Sequence, residues 1–262
     1  MSFFVNNVEL KEATFNQQEV KSIYFNTHLI WEAASFDWVG WANATWEDVY
    51  NLCKAKQEGK ITAWPDDVVL GATKQTTLST VLLNDSTFTM RIIGLDIDGS
   101  GVITFDSKYV ARGDFQSNSL NTHINNFYNY CNAKPYIKSL RKGTAAANLN
   151  RNGAVTYADY YVWILSEREV GLDKYSGISV ANSTLTKAEC TYGVNQPYPF
   201  YTSNITRKKT TSDGIQWAWL LRSRYATKML GETVEKIVGI DMDGNIDYAP
   251  YGIRFSPCFA IG

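Results

Sequence analysis

Net charge and histidine are what this 262-residue sequence most clearly lacks. Its 25 basic and 26 acidic residues leave a formal net charge of -1, which gives no electrostatic reason to expect nucleic acid as a partner. The two histidines, His28 and His123, lie far apart in the sequence and do not indicate a zinc site. No apolar run is long enough to span a bilayer, so we expect no membrane insertion.

Targeting and enzyme motifs are equally scarce. The residues from Met1 to Asn6 lack the basic start and apolar core of a signal peptide, so we expect synthesis in the cytosol and, if the chain is exported, another route. No glycine loop of the kind that cradles phosphates occurs. No nucleophile, general base and orienting acid can be grouped from the sequence. The sequence therefore gives little support for an enzyme.

The four cysteines are scattered, without a C-x-x-C pair, at Cys53, Cys131, Cys190 and Cys258. Four cysteines allow three pairings, among which the sequence does not choose. Because a chain of this length can bury a core without disulfide bonds, we expect four buried, reduced thiols.

A ten-residue repeat occupies the first part of the sequence. Segments that begin at Val5, Phe15 and Phe25 each place an apolar residue before Asn, then a polar turn and a strand-like run. Asn tolerates left-handed turn geometry, so the repeat predicts a small antiparallel β-ribbon with turns near residues 6–7, 16–17 and 26–27. Because so short a ribbon is not stable alone in water, residues 1–33 are predicted to form an attachment or oligomerisation module.

Residues 36–262 are predicted to form a larger α+β domain with short strands, two helices and long loops. A capping box that begins at Thr45 starts the first helix, and Gly59 ends it. Apolar residues on one helical face predict the second helix at about residues 117–131. The predicted strands include residues 77–83, 87–95 and 160–166, with a turn at Asn84-Asp85, and residues 171–214 are predicted to form long ordered loops.

Two segments resemble the start of an EF-hand loop. In the first, Asp96, Asp98 and Ser100 stand at loop positions one, three and five, but position twelve is Ser107 instead of the glutamate that closes a calcium cage. The second, residues 148–159, offers mainly neutral amides. We expect a turn between strands in both segments, with Ca²⁺ as the weaker alternative and no other cofactor.

Other candidate groups lie in the C-terminal third. Aromatic residues interleaved with Asn, Ser, Thr and Gly are typical of recognition surfaces, because rings give contact area and small polar side chains give hydrogen bonds. The candidate ligand-binding residues are Tyr198, Tyr201, Trp217, Tyr225, Tyr248 and Tyr251. Four charged residues are predicted to form a buried frame in which carboxylates hold the arginines and a D-x-D-G turn joins two strands: Arg222, Asp241, Asp243 and Arg254.

The acidic residues of Ser166-Glu167-Arg168-Glu169 allow two interpretations. They could form an acid/base cluster, or they could end a strand and supply carboxylates to buried arginines. We favour the second.

The N-terminal repeat resembles a short Asn-turn module, of the form V-x-N-G-x-x-V-K-x-x-x-F-N-G-x-x-V-W. This module opens many tail and surface proteins of phages and prophages of Gram-positive bacteria. Asn7, Gln17 and Thr27 stand here where glycine is common.

From about residue 36 to the end, the sequence resembles a functionally uncharacterised bacterial and phage domain. Its motifs occur in the same order at residues 45–49, 70–74, 93–105, 164–170, 219–223, 241–244 and 252–254, and Phe255 replaces the proline that usually follows. The ending is also remotely similar to the C-type-lectin-like fold of formylglycine-generating enzymes and of the variable receptor-binding proteins of diversity-generating retroelements. The enzyme branch needs two cysteines near the C-terminus, where only Cys258 is present, so the resemblance implies the binding branch.

Together these patterns predict a non-enzymatic phage or prophage tail protein that recognises a host cell-surface glycan or protein. We expect assembly in the host cytoplasm with other virion tail proteins, a homo-oligomer for which a trimer is favoured, and a final place in the extracellular virion tail. Two alternatives remain. One is a bacterial surface or secreted enzyme that acts on cell-wall polymers through Asp96, Asp98, Glu167 and Glu169, and the other is a purely architectural virion protein.

Overall fold

The computed structural model describes most of the chain from residue 36 onward and short paired segments before it. The described residues are 4–5, 8–9, 14–15, 18–19, 22–25, 28–32, 36–113, 120–145, 154–171, 196–203, 207–229, 232–244, 246–248 and 254–262. Within these ranges the fold is mixed α+β, and strands predominate over three α-helices. This confirms the predicted α+β class, with one short helix at Pro199–Ser203 beyond the two expected.

The N-terminal repeat forms three separate antiparallel strand pairs. Strand β1 (Phe4–Val5) pairs with β2 (Val8–Glu9), β3 (Thr14–Phe15) with β4 (Gln18–Glu19), and β5 (Ser22–Phe25) with β6 (His28–Glu32). The innermost partners of each pair are separated by two residues of sequence, since Val5 stands opposite Val8 and Phe25 opposite His28. This register confirms the predicted antiparallel strand pairs, and the predicted turns at residues 6–7, 16–17 and 26–27 lie outside the described residues.

Helix α1 (Trp46–Gln57) begins with the predicted capping box. The hydroxyl of Thr45 accepts the backbone N–H of Asp48 at 3.2 Å, and the Asp48 carboxylate accepts the backbone N–H of Thr45 at 2.7 Å. Gly59 lies just beyond the helix with a φ of +70°, a conformation that suits glycine. Both predicted ends of this helix are therefore confirmed.

A six-stranded antiparallel sheet forms the centre of the main region. The remaining elements are β7 (Thr73–Leu82), β8 (Asp85–Leu95), β9 (Ile103–Ser107), α2 (Leu120–Tyr130), β10 (Ile137–Lys138), β11 (Leu140–Ala145), β12 (Val155–Tyr160), β13 (Val162–Trp163), α3 (Pro199–Ser203), β14 (Lys209–Thr210), β15 (Gln216–Trp217), β16 (Trp219–Met229), β17 (Glu232–Ile240), β18 (Ile246–Tyr248) and β19 (Cys258–Ile261). The strand order in the central sheet is β10-β19-β9-β8-β7, and β13 also pairs with β19. In smaller sheets among the described residues of this region, β11 pairs with β12, β14 with β15, and β17 with both β16 and β18.

Two strand predictions need correction. The β7–β8 turn lies at Leu83 and Asn84, one residue earlier than predicted, because these two residues have φ of +51° and +67°, as a two-residue hairpin of this type requires. The single strand predicted at residues 160–166 is divided between β12 and β13, and residues 164–166 leave the sheet. Ile164 and Leu165 are nevertheless buried, as the apolar run indicated.

The central sheet separates two apolar cores. Along β19, Phe259 and Ile261 join the first core and Cys258 and Ala260 join the second, because successive side chains of a strand point to opposite faces. The first core includes the buried faces of α1 and α2. The second core packs against residues 196–203 and β16, and it is bordered by the charged groups described next.

Candidate functional site

Four charged side chains beside the second core form what we call the first charged cluster: Asp98, Lys142, Glu169 and Arg222. The Nζ atom of Lys142 lies 2.8 Å from Asp98 Oδ1 and 3.1 Å from Glu169 Oε1. Arg222 donates to Glu169 Oε2 at 3.1 Å and also to the carbonyl oxygens of Gly143 and Ile164. Two carboxylates thus face two cations. Burying these charges is tolerated because each is paired and hydrogen-bonded.

A second charged cluster lies on the same side of the sheet and consists of Asp106, Arg91 and Lys209. Arg91 binds both carboxylate oxygens of Asp106, with Nε 3.1 Å from Oδ1 and an Nη 2.8 Å from Oδ2. Lys209 Nζ donates to Asp106 Oδ2 at 2.7 Å and to the hydroxyl of Ser256 at 2.6 Å. The two charged clusters together are called the polar core below.

Burial and pairing fix the protonation states of several groups in the polar core. Burial acts to raise the pKa of Asp106, but Arg91 and Lys209 outweigh it and hold the pKa of this carboxyl below its ordinary value. Burial lowers the pKa of Lys209, and the Asp106 carboxylate opposes that change. Burial, with neighbouring carboxylates, raises the pKa of Tyr198 and of Tyr201 well above the ordinary value, so both hydroxyls stay protonated.

The structure corrects the prediction that Tyr198 and Tyr201 present their rings to a ligand. Both side chains are buried, at 0% and 2% exposure. The Tyr198 hydroxyl accepts from Lys142 and donates to Asp98 Oδ2, both at 2.8 Å. The Tyr201 hydroxyl donates to Asp106. These residues therefore join helix α3 to the polar core instead of forming a contact surface.

The other predicted aromatic residues are less fully described. Trp217 is half-buried, and the guanidinium of Arg254 lies 4.0 Å from the centre of its ring. Tyr225 lies in β16 and Tyr248 in β18, but their side chains are outside the described part of the structure, as is the whole of Tyr251. For these three residues the prediction of a binding role stays a prediction.

The predicted burial of both arginines is confirmed, and the predicted charged frame is corrected for one aspartate. Arg222 and Arg254 are buried, and Glu169 holds Arg222, as the favoured interpretation of residues 166–169 predicted. Residues 241–244 form the turn between β17 and β18, closed by a 3.1 Å hydrogen bond from the Gly244 N–H to the carbonyl of Asp241. The side chain of Asp243 is 80% exposed, 3.7 Å from Lys208, and does not belong to a buried frame.

The first EF-hand-like segment is a turn between β8 and β9, as expected. Asp96 accepts hydrogen bonds from the indole N–H of Trp64 at 2.8 Å and the backbone N–H of Gly101 at 2.6 Å. Asp98 is bound to Lys142, while Ser100 is exposed. Within the described residues, no group of three or more His, Cys, Asp or Glu is arranged to hold a metal ion. The second EF-hand-like segment begins outside the described residues.

Three of the four cysteines are buried, free thiols: Cys53, Cys131 and Cys258. Burial raises the pKa of Cys53 to about 12 and of Cys131 to about 11, and it raises the pKa of Cys258 as well. The prediction of buried, reduced cysteines is confirmed for these three, and Cys190 lies outside the described residues.

Sequence reasoning did not identify four members of the polar core: Arg91, Asp106, Lys142 and Lys209. Asp106 had one available signal, a carboxylate in the strand Ile103–Ser107 directly after Phe105, which implies a buried cationic partner. The two lysines had none, because each belongs to a short polar segment. Each is buried with its Nζ near a tryptophan ring, Lys142 at 4.7 Å from Trp163 and Lys209 at 4.5 Å from Trp219.

The polar core also fixes the two ends of a long segment, residues 172–195. Glu169 stands just before this segment and Tyr198 just after it, and the Tyr198 N–H donates to the Glu169 carbonyl at 3.0 Å. Arg207 adds hydrogen bonds to the carbonyls of Val170 at 2.7 Å and Gly171 at 3.1 Å. The described residues on the two sides of this segment thus lie next to each other.

No protein-family model, no curated protein and no solved structure matches this chain. Among the described residues, no helix is long and apolar enough to cross a membrane. The function is therefore inferred from the residues and their geometry.

Proposed function

We propose that this protein is a non-enzymatic tail protein of a phage or prophage and that it recognises a glycan or protein on the surface of a Gram-positive host. The observation that carries the proposal is that Glu169 and Tyr198, which flank residues 172–195, are hydrogen-bonded to each other beside the first charged cluster. Long connections in compact domains are uncommon and are usually functional, and binding segments are typically carried by a rigid scaffold. The composition of this segment, rich in Ser, Thr, Asn, Gly and Tyr, suits recognition.

The polar core supports this role because its charges hold the scaffold together. Asp98 and Glu169 bind Lys142, and Glu169 also binds Arg222. The alternative, an enzyme acting on cell-wall polymers, relied on Asp96, Asp98, Glu167 and Glu169 as acids or bases. Asp98 and Glu169 are committed to ion pairs, Asp96 to the Trp64 and Gly101 N–H groups, and Glu167 is completely buried. Of these carboxylates, Asp98, Glu167 and Glu169 are poorly placed to meet a polymer, and Asp96 is exposed but already accepts two hydrogen bonds.

The resemblance to C-type-lectin-like binding proteins is part of the same proposal. An antiparallel sheet with α1 and α2 packed on one face, together with the hydrogen bond between the residues that flank 172–195, supports this resemblance at the level of architecture. We assign residues 1–33 to attachment or oligomerisation, because isolated two-stranded hairpins are only marginally stable in water. Sedimentation analysis of the full chain would report a trimer, or another homo-oligomer, if this module assembles by itself.

Glycan-array and whole-cell binding assays with the purified full chain test the proposal. We expect saturable binding to cells of at least one Gram-positive host. The absence of binding to any plausible host would overturn the recognition role and favour the architectural alternative.

A further inference from the structure

An open groove lies between the β7–β8 hairpin and the segment that follows β9. Its volume is about 340 Å³, within the range of roughly 300–1,000 Å³ typical of sites for small ligands. Its lining includes the side chains of Gln75, Thr87, Thr89, Tyr109 and Arg112. A groove of this size suits a small molecule, or the end of a polymer, and not a folded protein.

The groove has one charged pair, and that pair is internally neutral. Arg112 Nε lies 2.7 Å from Asp85 Oδ1, and the Arg112 backbone N–H donates to Asp85 Oδ2 at 2.7 Å. A third bond joins the Arg112 guanidinium to the carbonyl of Asn84 at 2.6 Å. Among the described residues that line the groove, the carboxylate and the guanidinium offset each other, so the lining itself has no net charge with which to select a phosphate or a carboxylate ligand.

Hydroxyl and amide groups supply the remaining polar contacts. Gln75, Thr87 and Thr89 lie on the face of the hairpin that points away from the first core, and Gln75 Nε2 donates to the Thr89 hydroxyl at 2.9 Å. Hydroxyls both donate and accept, and an amide offers both functions side by side. The half-buried ring of Tyr109 adds an aromatic surface. Uncharged hydroxyl and amide groups beside a ring match the alternating hydroxyls and C–H faces of a sugar.

The wall of the groove is fixed before any ligand arrives. Backbone N–H groups of this wall bind neighbouring strands at three points: Lys108 to the Thr89 carbonyl at 2.8 Å, Val110 to Thr210 at 2.9 Å and Gly113 to Leu83 at 2.7 Å. Gly113 packs so closely that a Cβ atom would lie 2.7 Å from the Leu83 carbonyl carbon. A fixed wall lowers the entropy lost on binding.

We propose that this groove binds an uncharged saccharide, about one or two sugar rings in size. Gln75 and Thr87 exchange hydrogen bonds with the sugar hydroxyls, and the ring of Tyr109 packs against the sugar. This site is separate from residues 172–195, and it stands whether or not that segment recognises a host.

Titration of the full chain with simple saccharides tests the site. Isothermal calorimetry or ligand-observed NMR would use glucose, galactose, N-acetylglucosamine and their disaccharides, with glycerol phosphate as the charged comparison. We expect saturable binding of at least one neutral sugar and no preference for glycerol phosphate. The Gln75→Ala and Thr87→Val variants should each weaken that binding about tenfold, because each removes a hydrogen-bonding group.

Thr80→Val is the matched control, since Thr80 is an exposed threonine of the same hairpin outside the groove lining. The Thr80→Val variant should bind the sugar as tightly as the native chain does. The Gln75→Ala, Thr87→Val and Thr80→Val variants should all unfold at the same denaturant concentration. If no neutral sugar binds, if glycerol phosphate alone binds, or if the groove variants bind as well as the native chain, the proposal is overturned. Host-cell binding by the native chain in any of these cases would leave the proposed function intact.

Discussion

Glu169 is the residue on which the first charged cluster depends most, because it faces two cations. One carboxylate oxygen lies 3.1 Å from Lys142 Nζ and the other 3.1 Å from an Nη of Arg222, and the second oxygen also accepts the backbone N–H of Ser166 at 2.8 Å. Removing one partner of a buried ion pair leaves an uncompensated buried charge. The resulting loss of stability is much larger than the net stabilisation that the intact pair provides.

Glu169→Gln is therefore expected to lower the free energy of unfolding by about 3–5 kcal/mol. Urea denaturation of the purified protein measures this loss. Glu58→Gln provides the control, because Glu58 pairs with Lys60 at 2.9 Å on the surface, and its midpoint should match that of the native chain. Equal effects of the two substitutions would show that the first charged cluster does not stabilise the fold.

Asp106 should make stability depend on pH. Arg91 and Lys209 hold its folded-state pKa below the ordinary value, so the unfolded chain takes up the proton first as the pH falls. The stabilisation is present above about pH 4, the ordinary aspartate range, and is lost as the pH falls below it. Urea denaturation at about pH 6 and about pH 3 should show a larger loss of stability on acidification for the native chain than for Asp106→Asn. Identical losses would contradict this role of the carboxylate.

Calcium should leave the protein unchanged. Asp98, a candidate ligand in the EF-hand-like turn, already accepts hydrogen bonds from Lys142, Tyr198 and Thr104. An ion would have to displace a buried ammonium group and add charge beside it. Thermal unfolding with millimolar CaCl₂ and with EDTA should therefore give the same midpoint. A rise in the midpoint with calcium would show that this turn binds the ion after all.

At the scale of elements, the β8–β9 turn is joined to helix α1 through a glycine. Gly101 has a φ of +69°, and a Cβ atom there would lie 2.5 Å from Gln57 Cγ and 2.8 Å from the carbonyl oxygen of Cys53. Gly59 has nearly the same φ, +70°, and no atom within 4 Å of its Cβ position. The two sites thus share backbone strain and differ in packing.

Gly101→Ala should destabilise the protein by about 1–3 kcal/mol more than Gly59→Ala. Alanine at a positive φ destabilises both variants by a similar amount. The difference between their free energies of unfolding therefore measures the effect of the close contact between the turn and helix α1. Guanidinium denaturation of both variants measures it. Equal costs would indicate that the turn can move away from α1 without loss.

Elements set by local chemistry were the predictable part of this fold. The capping box of Thr45 and Asp48, the glycine that ends α1 and the three N-terminal antiparallel strand pairs each need only a few neighbouring residues, and the structure confirms them. The division of residues 160–166 between two strands was not predictable, because it depends on β13 pairing with β19, almost a hundred residues later in the sequence. An apolar run predicts that a segment is buried, but it does not predict the strand with which that segment pairs.

At the scale of the whole molecule, sequence reasoning assigned several side chains to the wrong environment. Tyr198 and Tyr201 follow a polar, loop-like segment, and only the tertiary fold brings their hydroxyls to Asp98 and Asp106, about a hundred residues earlier. Glu169 supplies the carboxylate that Arg222 needs, as the favoured interpretation of residues 166–169 predicted. Buried arginines with a glutamate partner were therefore predictable from the sequence, whereas the pairing of Glu169 with Lys142 was not.

Replacement of residues 172–195 by a short Gly/Ser linker tests the central claim most directly. Because Glu169 and Tyr198 are joined by a 3.0 Å backbone hydrogen bond, a short linker can close the gap without moving the scaffold. We expect the variant to unfold at the same denaturant concentration as the native chain and to lose binding to host cells that the native chain binds. Undiminished host-cell binding by this variant would contradict the assignment of recognition to this segment.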